Sequence, residues 1–126
     1  MAKYFIQRAK GREGSSIYTY TAKGHNECVP TRLHDQEGAG ANDVEGGKMI
    51  MGITYFVPGG GTDFGHNEAE SIYYILEGEM TLKVEDQEPT VLRKGDSFRC
   101  AGGVNKCVKN TGDTVTQMLV CLLPPV

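Results

Sequence analysis

The stretch from Pro58 to Gly78, PGGGTDFGHNEAESIYYILEG, constrains this chain more than any other. Its glycines predict a turn at Pro58–Gly61, and Thr62–Asn67 leads from it into a second turn at Glu68–Glu70. Ser71–Glu77 is a run of β-branched and aromatic residues, so a strand is expected there. Gly78 is expected to close a tight hairpin into Glu79–Glu85. That run alternates, with Met80, Leu82 and Val84 on one face and Glu79, Thr81, Lys83 and Glu85 on the other. Alternation of this kind marks a half-buried strand. A companion stretch, Gly95–Asn110 (GDSFRCAGGVNKCVKN), repeats the pattern of turn, strand, bend and strand.

The rest of the chain reads the same way. Short strands are predicted at Tyr4–Gln7, Ile17–Thr21, Cys28–Leu33, Pro89–Arg93, Ser97–Cys100, Lys106–Asn110 and Thr114–Leu123, with a turn at Lys23–Glu27. Lys48–Val57 is the longest early strand, and both its faces are apolar. Met49, Met51, Ile53, Tyr55 and Val57 lie on one, Ile50 and Phe56 on the other. Such a strand belongs between two sheets or under a subunit interface. Asp35–Gly47 is polar and glycine-rich and reads as a mobile loop, a lid or a solvated insertion. No helix is expected.

The 126 residues suit one domain, 1–126, and can bury roughly two-thirds of the unfolded surface. The formal net charge of -3 and scattered Lys and Arg argue against nucleic acid as a partner. No run approaches a membrane span, and the first residues lack the apolar core of a signal peptide. Cys28, Cys100, Cys107 and Cys121 form no C-x-x-C pair, so free thiols in a cytoplasmic protein are expected.

Many short strands with turns every 8–12 residues indicate a sandwich or barrel. The two key stretches resemble the signature motifs of the cupin superfamily. The first motif, G-x5-H-x-H-x3-E-x6-G, is met in spacing by Gly59, Gly65, Asn67, Ser71 and Gly78. The second, G-x5-P-x-G-x2-H-x3-N, is met by Gly95, Ala101, Gly103, Lys106 and Asn110. The resemblance covers residues 45–125, with 1–44 left as N-terminal strands and loop. It implies an all-β, cupin-like double-stranded jelly-roll β-barrel. With the two-faced apolar strand, it also implies a homodimer.

In the family, two His and a Glu of the first motif and a His of the second usually hold a divalent metal. This chain has Gly65, Asn67, Ser71 and Lys106 at those places. Glycine has no side-chain donor, Asn and Ser are weak ligands, and a protonated Lys repels a cation. No cofactor is therefore expected. The alternative is Fe, Mn, Ni or Zn held through His66 and Glu70, with a bulge swinging both inward.

Lys106 is the foremost candidate for chemistry, because the motif spacing points it into the barrel. It would supply a fixed positive charge, act as acid or base, or form a Schiff base. Glu70 is a candidate base beside the lumen, and His66 a candidate proton carrier that alternation turns out of the lumen. Tyr73, Ser71 and Asn67 are candidate ligand-binding residues, since Ser71, Tyr73 and Ile75 share the lumen face. Cys107 is expected opposite Lys106 as a packed thiol. These residues suggest isomerase, lyase or decarboxylase chemistry on a small organic acid or carbonyl compound without the usual metal. The alternatives are a non-catalytic binding module for a small metabolite or sugar acid, and a metal-dependent dioxygenase or isomerase with a rearranged site.

Overall fold

A computed structural model describes residues 3–36 and 44–125. Nine strands are assigned in it: β1 Tyr18–Thr19, β2 His25–Arg32, β3 Ile50–Thr62, β4 Glu70–Glu77, β5 Glu79–Val84, β6 Thr90–Arg93, β7 Ser97–Cys100, β8 Lys106–Lys109 and β9 Thr116–Leu123. Among the described residues there is no helix, and so none long and apolar enough to cross a membrane. The protein is all-β, as its alternating sequence predicts.

The strands are antiparallel and run in the order β6-β5-β8-β3-β9-β4-β7, with β2 also on β3 and β1 on β2. The two end strands, β6 and β7, are joined by the tight turn at Lys94–Asp96, so the sheet nearly closes on itself. Inside lies one core of Phe56, Tyr73, Ile75, Met80, Leu92, Val108 and Met118. Alternation produces it: Tyr73 and Ile75 of β4 point in, while Ile72 and Tyr74 point out and stay exposed.

Three turn expectations are corrected. Pro58–Gly61 is not a turn, because β3 runs through it to Thr62. The glycines serve close approach instead. A Cβ on Gly60 would strike the Glu27 carbonyl, and one on Gly61 would strike the Val108 carbonyl. Lys23–Glu27 is a turn only at its start, since β2 begins at His25. Gly78 closes no hairpin, because β4 pairs with β7 and β9 while β5 pairs with β6 and β8. At Gly78 (φ 86°) the chain crosses from one half of the barrel to the other. Thr116, fully buried, holds that crossing by accepting from Glu79 N (2.9 Å) and donating to Glu79 O (2.6 Å).

Tyr4–Gln7 forms no strand. Gln7 instead straps the N-terminal arm down, donating to the Leu33 carbonyl (2.7 Å) and accepting from Ser16 N (2.9 Å). The expected Asp35–Gly47 loop lies largely outside the described residues, at 37–43. Asn110 ties β3 to the loop after β8. Its amide donates to the carbonyls of Phe56 (3.0 Å) and Thr114 (2.8 Å) and accepts from Gly112 N (3.0 Å).

Candidate functional site

A cavity of about 350 Å³ opens beside the core. Apolar side chains of β3 and β9 (Phe56, Met118, Val120, Leu122) form part of its wall, and residues of β2, β4, β8 and the 20–24 and 62–67 segments, many of them polar, form much of the rest. A few polar groups converging on an apolar cavity make the usual form of a small-molecule site.

Lys106 enters from the start of β8. An isolated bridge with Gly65 fixes its backbone, with Gly65 N to Lys106 O at 3.1 Å and Lys106 N to Gly65 O at 3.0 Å. Its Nζ lies 5.3 Å from the centroid of the Tyr73 ring. Tyr73 is itself stacked on Phe98, with centroids 4.4 Å apart and an interplanar angle of 13°. Among the described residues no carboxylate comes within ion-pair distance of Lys106. The ammonium is therefore steadied by a ring face rather than neutralised.

Of the other predicted site residues, Tyr73, Asn67 and His66 line the cavity. His66 was expected to face out of the lumen. It sits at the cavity wall because residues 63–69 leave the regular strand, and its Nε2 lies 3.5 Å from Glu68. Asn67 Oδ1 accepts from Ala69 N at 3.0 Å. Ser71 is 1% exposed and its hydroxyl has no hydrogen-bond partner among the described residues, but it does not line the cavity. Glu70 does not reach the lumen. Strand alternation turns it outward, where it pairs with Arg99 at 3.5 Å. Cys107 contributes to the wall, and burial pushes its thiol up from the ordinary value.

The residues at the family's ligand positions do not fit a divalent metal. Gly65 offers no donor, Ser71 does not line the cavity, and Lys106 brings a positive charge. Among the described residues no three His, Cys, Asp or Glu are gathered to hold an ion. The alternative pair is not assembled either, because His66 turns to Glu68 and Glu70 to Arg99.

Arg32, Tyr20, His25 and Asp63 also line the cavity and were not singled out in the sequence. Arg32 lies 4.8 Å from the Tyr20 ring centroid, and its Nε is 3.4 Å from Asp35. Asp35 in turn accepts the Tyr18 hydroxyl proton at 2.6 Å. That hydrogen bond, then burial and the Asp35 charge, push the Tyr18 pKa up to about 12. The direction of Arg32 follows from a tertiary contact. Cys28 packs on the core, so alternation along β2 carries residue 32 to the inner side.

The model of the Cupin domain family matches residues 52–122. A curated relative, a beta-D-galactosidase of Mycobacterium tuberculosis, is 31% identical over 107 residues, which is 85% of this chain and 87% of that one. Among solved structures, a polyketide cyclase from Streptomyces resistomycificus superposes with a TM-score of 0.75 at 18% identity. The match covers 96% of this chain and 81% of the other. A protein described as a predicted oxalate decarboxylase, from Thermotoga maritima, superposes with a TM-score of 0.74 at 19% identity, covering 96% and 100%. The two structural likenesses establish the fold.

Proposed function

The chain belongs to the cupin domain family, and from that premise we propose that its barrel takes a small organic acid or carbonyl compound and acts on it as an isomerase, lyase or decarboxylase. The observation that carries this reading is Lys106. Its ammonium lies on the Tyr73 ring at the cavity, and no carboxylate partner is found among the described residues. A charge already placed and only partly hydrated stabilises an oxyanion that develops beside it. In the simplest such step, a C–H bond next to a carbonyl breaks and its electron pair moves onto the carbonyl oxygen. Lys106 holds the resulting enolate oxygen. His66, backed by Glu68, takes the proton and returns it. Glu70 has no part in this reading, because it is committed to Arg99. Return of the proton to a different carbon is isomerisation, and loss of carbon dioxide to give the same enolate is decarboxylation.

The mycobacterial relative favours a second reading, hydrolysis of a galactoside. Glycosidases generally place two carboxylates across the sugar ring. Here the cavity wall has one, Asp63, whose Oδ1 accepts from Asn26 at 2.9 Å. The geometry therefore favours the acid over the glycoside. Pure binding without turnover uses the same residues and differs only in lacking the proton step.

The test is titration with pyruvate in deuterated water, followed by NMR. Pyruvate is expected to bind and to exchange its methyl protons faster with the protein present. Lys106→Met should weaken binding by about tenfold or more, the size of a lost charge-assisted contact. Binding without exchange would favour the binding module. Equal affinity in Lys106→Met would sink the reading, and accelerated hydrolysis of nitrophenyl galactoside would replace it with the second.

A further inference from the structure

We propose that Arg32 is a second anion anchor and that the ligand is a short dicarboxylate, gripped at one end by Arg32 and at the other by Lys106. This rests on the reading of Lys106 as the acid-binding cation and goes further, because it fixes the number of acidic groups.

The first support is charge. Lys23, Arg32 and Lys106 line the cavity against one lining carboxylate, Asp63. Asp35 answers Arg32 from outside the wall, through Nε and at 3.4 Å, while also holding the Tyr18 hydroxyl. A guanidinium held at Nε and over the Tyr20 ring is oriented in advance, with its terminal nitrogens in no ion pair among the described residues. Such a group loses little freedom when a carboxylate docks on it in two-pronged fashion.

The second support is the backbone that places it. The β2–β3 register sets Pro30 opposite Thr54, so two residues further on Arg32 comes level with Gly52. Gly52 has no side chain to obstruct it. A Cβ there would strike the Thr31 carbonyl and stand 3.3 Å from an Arg32 terminal nitrogen. Gly52 is therefore what allows the guanidinium to lie over β3.

The third support is spacing. Gly52 pairs with Val120, and Val120 pairs with Tyr73, the ring that carries Lys106. The residues that support the two cations thus lie two strands apart in one cross-sheet row, roughly 10 Å between backbones. Both cations open on the same cavity of about 350 Å³. A short chain with a carboxylate at each end is the ligand that can meet both in so small a space. Val120, between them in the row, offers an apolar surface to the methylenes of such a chain.

The experiment compares succinate with butyrate, which replaces one carboxylate by a methyl group. Affinities are measured calorimetrically for the wild type, Arg32→Gln and Arg32→Lys, with melting curves confirming the fold. Wild type is expected to prefer succinate by about tenfold or more. Arg32→Gln should bring the ratio to about one while butyrate still binds through Lys106, and Arg32→Lys should keep part of the preference. Equal affinity of the wild type for both acids overturns the proposal, whatever the variants do, and leaves Lys106 as a single-carboxylate site. A succinate preference that survives in a folded Arg32→Gln also overturns it. If neither acid binds, the reading of Lys106 fails with it.

Discussion

At the scale of single residues, the cavity is a place where ordinary side chains acquire roles from their neighbours. Lys106 is attended in the wall by a ring face, with no carboxylate within ion-pair distance among the described residues. Ser71 fills a position of the family's usual ligand set with a buried hydroxyl that has no hydrogen-bond partner among the described residues. Such a group costs stability that packing must offset. Tyr18 shows the same dependence in a form that pH can read. Its hydroxyl donates to Asp35, and its folded pKa is raised from 10.0 to about 12. A group whose folded pKa is raised contributes stability that is fully present below the unfolded value. It is lost as pH rises through the folded one. The window is therefore pH 10 to 12. Across it the melting temperature of the wild type should fall more steeply than that of Tyr18→Phe, which has no proton to lose there. Parallel curves would show that the hydrogen bond is not made in solution, and with it the outer support of Arg32 would go.

At the scale of elements, β3 does the most. Its first part pairs with β9 from Ile50 to Phe56, and its last part meets β8 at Gly61, so one strand serves both halves of the barrel. That double use explains the glycines. Gly61→Ala would drive a methyl group into the Val108 carbonyl, and backbone cannot move aside as a side-chain tip can. We expect it to cost about 3 kcal/mol or more. Gly59→Ala meets nothing within 4 Å and needs only the positive φ of 86°, so about 1 kcal/mol is expected. Denaturant midpoints of the two variants check this, and equal losses would remove the close-approach argument.

The same strand shows what could be read from the sequence and what could not. Strands β4 to β9 were legible because each follows a period of two between clear turns, and the places of Lys106, Tyr73 and Asn67 at the cavity followed from motif spacing, whereas alternation turned His66 out of it. The Pro58–Gly61 run was misread because glycine signals a turn and a tight crossing with the same letter. Gly78 was misread because a positive φ joins strands in either a hairpin or a crossover, and only pairing partners distinguish them. Arg32 was missed because its strand has no motif, and its inward direction rests on Cys28 meeting Phe56 from a distant part of the chain.

At the scale of the whole molecule, the outer face of the β2-β3-β9-β4-β7 sheet is unlike an ordinary solvated face. Two cross-strand rows there are almost wholly apolar. Met51, Cys121 and Ile72 form one, and Ile53, Leu119 and Tyr74 the next, with Val29 and Tyr55 beside them. Val29, Tyr55, Ile72 and Tyr74 are each more than a third exposed. This is the second apolar face of β3 that the sequence places under an interface, and the barrel's own core does not cover it. Contiguous apolar surface of this kind is typical of association surfaces. A second copy is the fitting occupant, because an isologous pairing sets the apolar rows of one face on those of another. We therefore expect light scattering to give a mass about twice the 13.7 kDa of the chain. Tyr74→Asp puts a charge into the centre of that face without touching the core, so it should yield a folded monomer with an unchanged strand signature. A wild-type mass of one chain would remove the dimer. A dimer indifferent to Tyr74→Asp would move the contact to another face and leave these rows unexplained.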